Sequence, residues 1–194
     1  MSRILVLYGT TDGHTAKIAQ SIGDALRAVG NDADVIEAGT ADPRPEDYTA
    51  VIVAGSVHAG GYQRSIRRWV RRHARVLNTQ PTAFVSVCLA VLQQEAAVQR
   101  ELTAIIDRFL TATAWRPTVT KSVAGALLYR RYNPIKRWVM KRIVRKAGGD
   151  TDTSKDYEYT DWNDLRAFAE QFAQRVRREV TGRAESAASG MRVA

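Results

Sequence analysis

The segment Tyr8-Gly9-Thr10-Thr11-Asp12-Gly13-His14-Thr15 is the part of the chain best equipped for chemistry. Threonine hydroxyls at 10, 11 and 15 and a run of main-chain amides lie where a helix begins, and Gly13 lets the backbone turn closely there. A helix N-terminus presents N–H groups with no partner inside the helix and a favourable dipole, so the arrangement suits a dianionic phosphate. Hydroxyls add donors without adding charge. The alternative is an N-capped helix after a threonine-rich turn, which needs no ligand. Neither G-x-x-x-x-G-K-[ST] nor G-x-G-x-x-G follows this strand, which counts against ATP and NAD.

Such a loop needs a buried strand before it and a helix after it. Arg3 to Tyr8 (RILVLY) is a continuous apolar run with β-branched residues, the pattern of a strand covered on both faces. His14 to Val29 carries Ile18, Ile22, Ala25, Leu26 and Val29 at helical spacing and stops at Gly30. Further strands are expected at Ala33 to Glu37, Ala50 to Ala54, Thr82 to Leu89 and Thr118 to Ala124. Helical patterns fall at Gln63 to Leu77, Gln94 to Thr113 and Asp161 to Val180. Strands alternating with helices of this length predict βαβ units, hence an α/β fold with a parallel sheet covered on both faces. Pro43 and Pro45 leave room for only a poor helix or a loop between Asp42 and Tyr48. Ligands bind such sheets at the switch point of strand order, which favours the ligand reading of residues 10–15.

The bulk numbers agree. A chain of 194 residues, 45% hydrophobic and 25% charged, fits one globular domain with a single core. The domain is expected over residues 1–181, with a frayed tail at 182–194. Cys88 is the only cysteine, so no internal disulfide can form and a reducing, cytoplasmic compartment is expected. No signal peptide or membrane-spanning stretch is expected.

The run Tyr8 to Thr15 resembles the phosphate loop of flavodoxins, a Thr/Ser-rich segment ending G-x-T. What that resemblance implies is a flavodoxin-like doubly wound sheet of five parallel strands, order 2-1-3-4-5, binding FMN. Thr10, Thr11, Asp12, Gly13, His14 and Thr15 would surround the phosphate, with the Asp12 side chain turned away from it. Two further loops would hold the flavin ring: Ser56, Val57, His58, Ala59, Gly60 and Tyr62 after the third strand, and Ser86, Val87, Cys88 and Leu89 after the fourth. Aromatic stacking on the ring falls to Tyr62 or His58, because Ala59 stands where relatives often carry an aromatic. Cys88 reads as a small buried hydrophobe.

A closer resemblance, over nearly the whole chain, is to the flavodoxin-like, menaquinone-dependent protoporphyrinogen oxidases. It rests on Trp115-Arg116-Pro117, on Ser122 to Leu127 followed by Tyr129, Arg131 and Tyr132, on Gly148 to Thr153, and on Tyr159-Thr160-Asp161-Trp162. It implies an enzyme that oxidises protoporphyrinogen IX to protoporphyrin IX in haem biosynthesis, through FMN, with a membrane quinone as acceptor. An FMN electron carrier that docks on redox partners is the alternative. No acid/base residue can be assigned.

Two clusters carry the net charge of +9. Between Tyr129 and Gly148 lie Arg130, Arg131, Lys136, Arg137, Lys141, Arg142, Arg145 and Lys146, with no acid. This is an insert at about 127–150, before the last helix. From Pro134 to Ala147, Ile135, Val139, Met140, Ile143, Val144 and Ala147 fall on one half of a helix and Arg137, Lys141 and Arg145 on the other. Such a basic amphipathic helix either packs on the domain with a solvated basic face or lies on an anionic membrane, peripherally, at its cytoplasmic side. The second cluster, Arg64, Arg67, Arg68, Arg71, Arg72 and Arg75, forms one stripe of a helix. It is a solvated face or a surface for anionic lipids or porphyrin propionates. No nucleic-acid reading motif is present, so no specific nucleic-acid partner is expected. Neither His14 nor His73 has the partners of a metal site. Self-association into a homo-oligomer stays open.

Overall fold

The computed structural model describes residues 1–131 and 152–190. Its main sheet contains β1 (Arg3–Gly9), β2 (Asp32–Glu37), β3 (Ala50–Ser56), β4 (Thr82–Val87) and β5 (Val119–Val123), all parallel, in the order β2-β1-β3-β4-β5. The helices are α1 (His14–Ala28), α2 (Arg64–Leu77), α3 (Ala96–Thr113) and α4 (Trp162–Gly190). The expected topology is present. From β1 the chain crosses to β2 on one side and then to β3 on the other, so the connections diverge and leave a crevice beyond the C-terminal ends of β1 and β3.

Side-chain alternation along β1 explains the two-faced core. Ile4 and Val6 join Ile18, Ile22 and Leu26 of α1 and Leu165, Phe168 and Phe172 of α4 on one face. Leu5 and Leu7 join Ile66, Trp69 and Val70 of α2 and Leu102 and Phe109 of α3 on the other. Each such side chain contributes about 1.5–3 kcal/mol by leaving water, which is why a strand apolar at every position takes the centre. Buried indoles are satisfied as well: Trp115 Nε1 donates to Thr82 Oγ1 at 3.2 Å and Trp69 Nε1 to the Pro43 carbonyl at 3.1 Å.

Helix boundaries follow their local chemistry. Gly30 ends α1 at φ 83°, with its N–H on Arg27 O at 2.9 Å and the Asn31 N–H on Leu26 O at 3.1 Å, a Schellman arrangement. The proline-containing crossover between β2 and β3 makes only one 3-10 turn, Pro45–Asp47. Two details differ from the expectation. The last helix, α4, continues to Gly190, into the stretch expected as a tail; residues 182–190 include three alanines, the best helix former, and no proline. A second, two-stranded antiparallel sheet also forms, from β6 (Ala126–Leu127) and β7 (Tyr157–Glu158). It brackets the basic insert, whose predicted helix from Pro134 to Ala147 lies outside the described residues.

Candidate functional site

The phosphate loop links β1 to α1 at the crevice. Gly13 adopts φ 91°, in the left-handed region, and no side chain caps the helix it begins. The first turn of α1 contains no acid. Thr10 Oγ1 accepts from the Gly13 N–H at 2.8 Å, and Thr11 Oγ1 accepts from Gln63 Nε2 at 3.1 Å. Both oxygens therefore serve as acceptors inside the protein and keep their O–H hydrogens for an anion. Thr15 lies beneath the loop at 1% exposure, and Asp12 is half-buried beside Gly13.

Gln63, which the sequence reading missed, connects this loop to the next. Its Nε2 also donates to Ser56 Oγ at 2.7 Å, so one amide spans the ends of β1 and β3. Gly9 leaves it room: a Cβ there would lie 3.2 Å from Gln63 Oε1 and 3.3 Å from Gln63 Cβ, tighter than ordinary contact. The available signal was a polar residue at the position preceding α2, directly after a glycine-rich turn.

The ring loop after β3 continues the ladder with the Val57 N–H on Val87 O at 2.9 Å, then reverses. His58 and Gly61 exchange main-chain hydrogen bonds at 2.8 and 3.0 Å, around Ala59 at φ 48° and Gly60 at φ 74°. Both central residues have positive φ, the pattern of a type I′ turn; an alanine there costs about 1 kcal/mol or more. His58, Ala59 and Gly60 are exposed.

Tyr62 packs inward at the end of the ring loop. Its ring meets Phe84 edge-on at 5.0 Å and Phe109 at 4.9 Å, and its hydroxyl bonds Ser86 Oγ at 2.7 Å. These contacts hold the half-buried ring against the α2–α3 side of the core. Burial pushes its phenol up to about 12, and it stays protonated. Of the two aromatic candidates, His58 alone is on the exposed turn. In the loop after β4, Ser86 and Val87 are buried in the strand, and Cys88 caps a 3-10 segment, Leu89–Leu92. The Cys88 Sγ accepts from the Ala90 N–H at 3.4 Å, and burial raises its pKa, so it rests as a thiol.

His14 fastens the opposite side of the phosphate loop. Thr160 Oγ1 donates its hydrogen to the Ala124 carbonyl at 2.7 Å, so the 2.7 Å contact with His14 Nε2 is an imidazole N–H donating to Thr160. That fixes the tautomer and leaves Nδ1 as a buried acceptor without a partner in the structure. Burial lowers the His14 pKa; Glu158 opposes this and Lys17 adds to it. Lys17 in turn pairs with Glu158 of β7 at 3.1 Å. Leu127, Leu128 and Tyr129 are buried against Leu89, Tyr157 and Tyr159, so both flanks of the insert sit on the C-terminal edge of the main sheet. A small groove lies between Gly13, His14 and Lys17 on one wall and Leu128, Tyr157 and Glu158 on the other.

The family defined by the flavodoxin domain matches residues 5–154, the span that contains all of these loops. The chain belongs to the flavodoxin family. Quinone-type protoporphyrinogen IX dehydrogenases are similar to this flavodoxin-family chain: that of Escherichia coli K12 is 35% identical over 172 residues, covering 88% of this chain and 94% of the relative. That of Leishmania major is 33% identical over 179 residues, covering 88% of this chain and 74% of the relative. Oxidised flavodoxin 1 from Bacillus cereus shares the fold at a TM-score of 0.54 and 13% identity, over 89% of this chain and 98% of that one.

Within a flavodoxin-family chain the donor set suits FMN. The left-handed Gly13, the uncapped start of α1 and the outward hydroxyls of Thr10 and Thr11 offer neutral hydrogen-bond donors to a phosphate. Among the described residues no group of three or more His, Cys, Asp or Glu could hold a metal ion. Also among them, no helix is long and apolar enough to cross a membrane.

Proposed function

We propose that this protein is an FMN-dependent oxidoreductase that converts protoporphyrinogen IX to protoporphyrin IX and delivers the electrons to a membrane quinone. The observation that carries this reading is the 35% identity to the quinone-type dehydrogenase of Escherichia coli K12, which extends over 88% of the chain, well beyond the phosphate loop. FMN, when bound, supplies the two-electron redox chemistry. The protein's own groups bind and orient. Thr10, Thr11, Gly13 and the first amides of α1 hold the phosphate. Ser56, Val57, His58, Ala59 and Gly60 border the ring on one side, and Val87, Cys88 and Leu89 on the other. Gln63 holds the two loops at a fixed separation.

The acceptor is dissolved in the bilayer, so the protein must approach it. Its basic insert, from Tyr129 to Gly148, supplies eight cations and no acid. Near anionic headgroups each such cation is worth about 1 kcal/mol. The insert carries the enzyme to the inner face of the membrane as a peripheral protein.

The test is to load the purified protein with FMN, add protoporphyrinogen IX and a soluble menaquinone analogue, and follow protoporphyrin fluorescence. Quinone-dependent turnover is expected. A protein that binds FMN and is reduced by partner proteins but leaves the porphyrinogen untouched is an electron carrier. Flotation with phosphatidylglycerol vesicles tests the membrane step: exchanging Lys141, Arg142, Arg145 and Lys146 for glutamate should abolish it, and equal flotation would remove that role.

A further inference from the structure

The turn His58–Gly61 runs almost directly into α2, whose first two turns carry Arg64, Arg67, Arg68 and Arg71, all exposed. Ile66, Trp69 and Val70 are buried on the opposite face, so the helix cannot roll and the stripe faces solvent. Farther along, Arg72 pairs with Asp42, which His73 also approaches, at 3.8 Å. Among the described residues no carboxylate pairs with Arg64, Arg67, Arg68, Arg71 or Arg75. The first turn of α2 contains no acid.

These features oppose the helix. Positive charge near a helix start works against its dipole, and arginines four residues apart repel. Both penalties fall at the end of α2 that adjoins the candidate ring loop. The residues are also all arginine: α2 has no lysine. A solvated basic face would accept either type, whereas the planar guanidinium fork matches a carboxylate through two parallel hydrogen bonds.

We propose that Arg64, Arg67 and Arg68 bind the carboxylates of the porphyrinogen substrate and so hold it over the ring loop. This deepens the porphyrinogen reading given above and rests on it. Arg64 and Arg68 lie about one helical turn apart on one face, so their forks can each take one of the two propionates that project from one edge of the macrocycle. Arg67 lies beside them as a third donor. The three are specificity-determining residues: they select an acidic porphyrin and set its orientation.

The test uses the FMN-loaded protein and two stable probes, protoporphyrin IX and its dimethyl ester, titrated by fluorescence. The wild type is expected to bind the free acid about tenfold or more tighter than the ester, the scale of charge-assisted hydrogen bonds. Arg64→Ala with Arg68→Ala should bring that ratio to within about twofold while leaving ester affinity unchanged, and the lysine pair should restore part of it. Arg75→Ala, two turns away, should leave the ratio alone. A ratio that survives the alanine pair overturns the clamp, as does equal binding of acid and ester by the wild type; in both cases the porphyrin reading stands. If neither probe binds the wild type, the porphyrinogen reading itself fails and the clamp with it. If the alanine pair instead lowers only flotation with phosphatidylglycerol vesicles, these arginines face lipid and the clamp is wrong.

Discussion

The phosphate loop and the ring loop lie side by side on the same sheet edge, yet they are built in opposite ways. The first is fastened on three sides: within itself by Gly13 and Thr10, to β3 through Gln63 and Thr11, and to the insert flanks through His14 and Thr160. Its only unusual backbone conformation falls on a glycine. The ring loop is held at its two ends, by Gln63 on Ser56, Val57 on Val87 and Tyr62 on Ser86, while its exposed turn places Ala59 where glycine or asparagine would be at ease. A phosphate presents the same small target every time, so a rigid cradle serves it. A turn beside a large planar substrate has more need to yield.

The largest expected effect is at the rigid loop. Thr11→Asp at this exposed position would set a carboxylate against the phosphate and weaken FMN binding by about 100-fold or more, as close like charges do. Retained flavin absorbance after gel filtration would show that the cradle is elsewhere. Next comes the bridge between the loops. Gln63→Met keeps the volume but loses two hydrogen bonds, so FMN should bind about tenfold more weakly. Riboflavin and inorganic phosphate, each touching one loop, should change by less than about twofold. If all three weaken equally, Gln63 supports the fold and does not set the spacing.

Smaller effects sharpen the contrast. Ala59→Gly relieves the left-handed strain but adds freedom to the unfolded chain, so a net gain of up to about 1 kcal/mol is expected in chemical denaturation. A loss would mean the turn is not strained. At the other loop, His14 binds protons less readily folded than unfolded, where its ordinary value is 6.5. Its contribution is therefore complete above that value and is lost as the pH falls below it, because the unfolded chain takes up the proton first. His14→Gln should flatten the decline in stability between pH 7.5 and pH 5.5, and an unchanged slope would place the titration on another group.

The same contrast explains what could be read from the chain. The β1 run, the helix stops and Gly13 announce themselves because each depends on neighbours in sequence. Gln63 did not, since its meaning comes from Thr11, 52 residues away. The packing of Tyr62 was hidden for a related reason: it follows a glycine-rich turn in sequence, while the rings it meets, Phe84 and Phe109, lie more than 20 residues away. β6 and β7 have two residues each, too few for any period to show. Thr160 stood inside a motif that marked resemblance, with nothing to say that its hydroxyl would relay between a histidine and the Ala124 carbonyl.

The little ladder pairing Ala126 with Glu158 and Leu127 with Tyr157 works like a door frame. The pairing fixes the two ends of the intervening stretch side by side, and closing a loop at fixed ends costs only slowly more as the loop grows. By that argument the sequence between β6 and β7 can change in length or charge at little cost to the pairing that brackets it. An enzyme built this way can be refitted for a different surface by editing a single stretch of its gene.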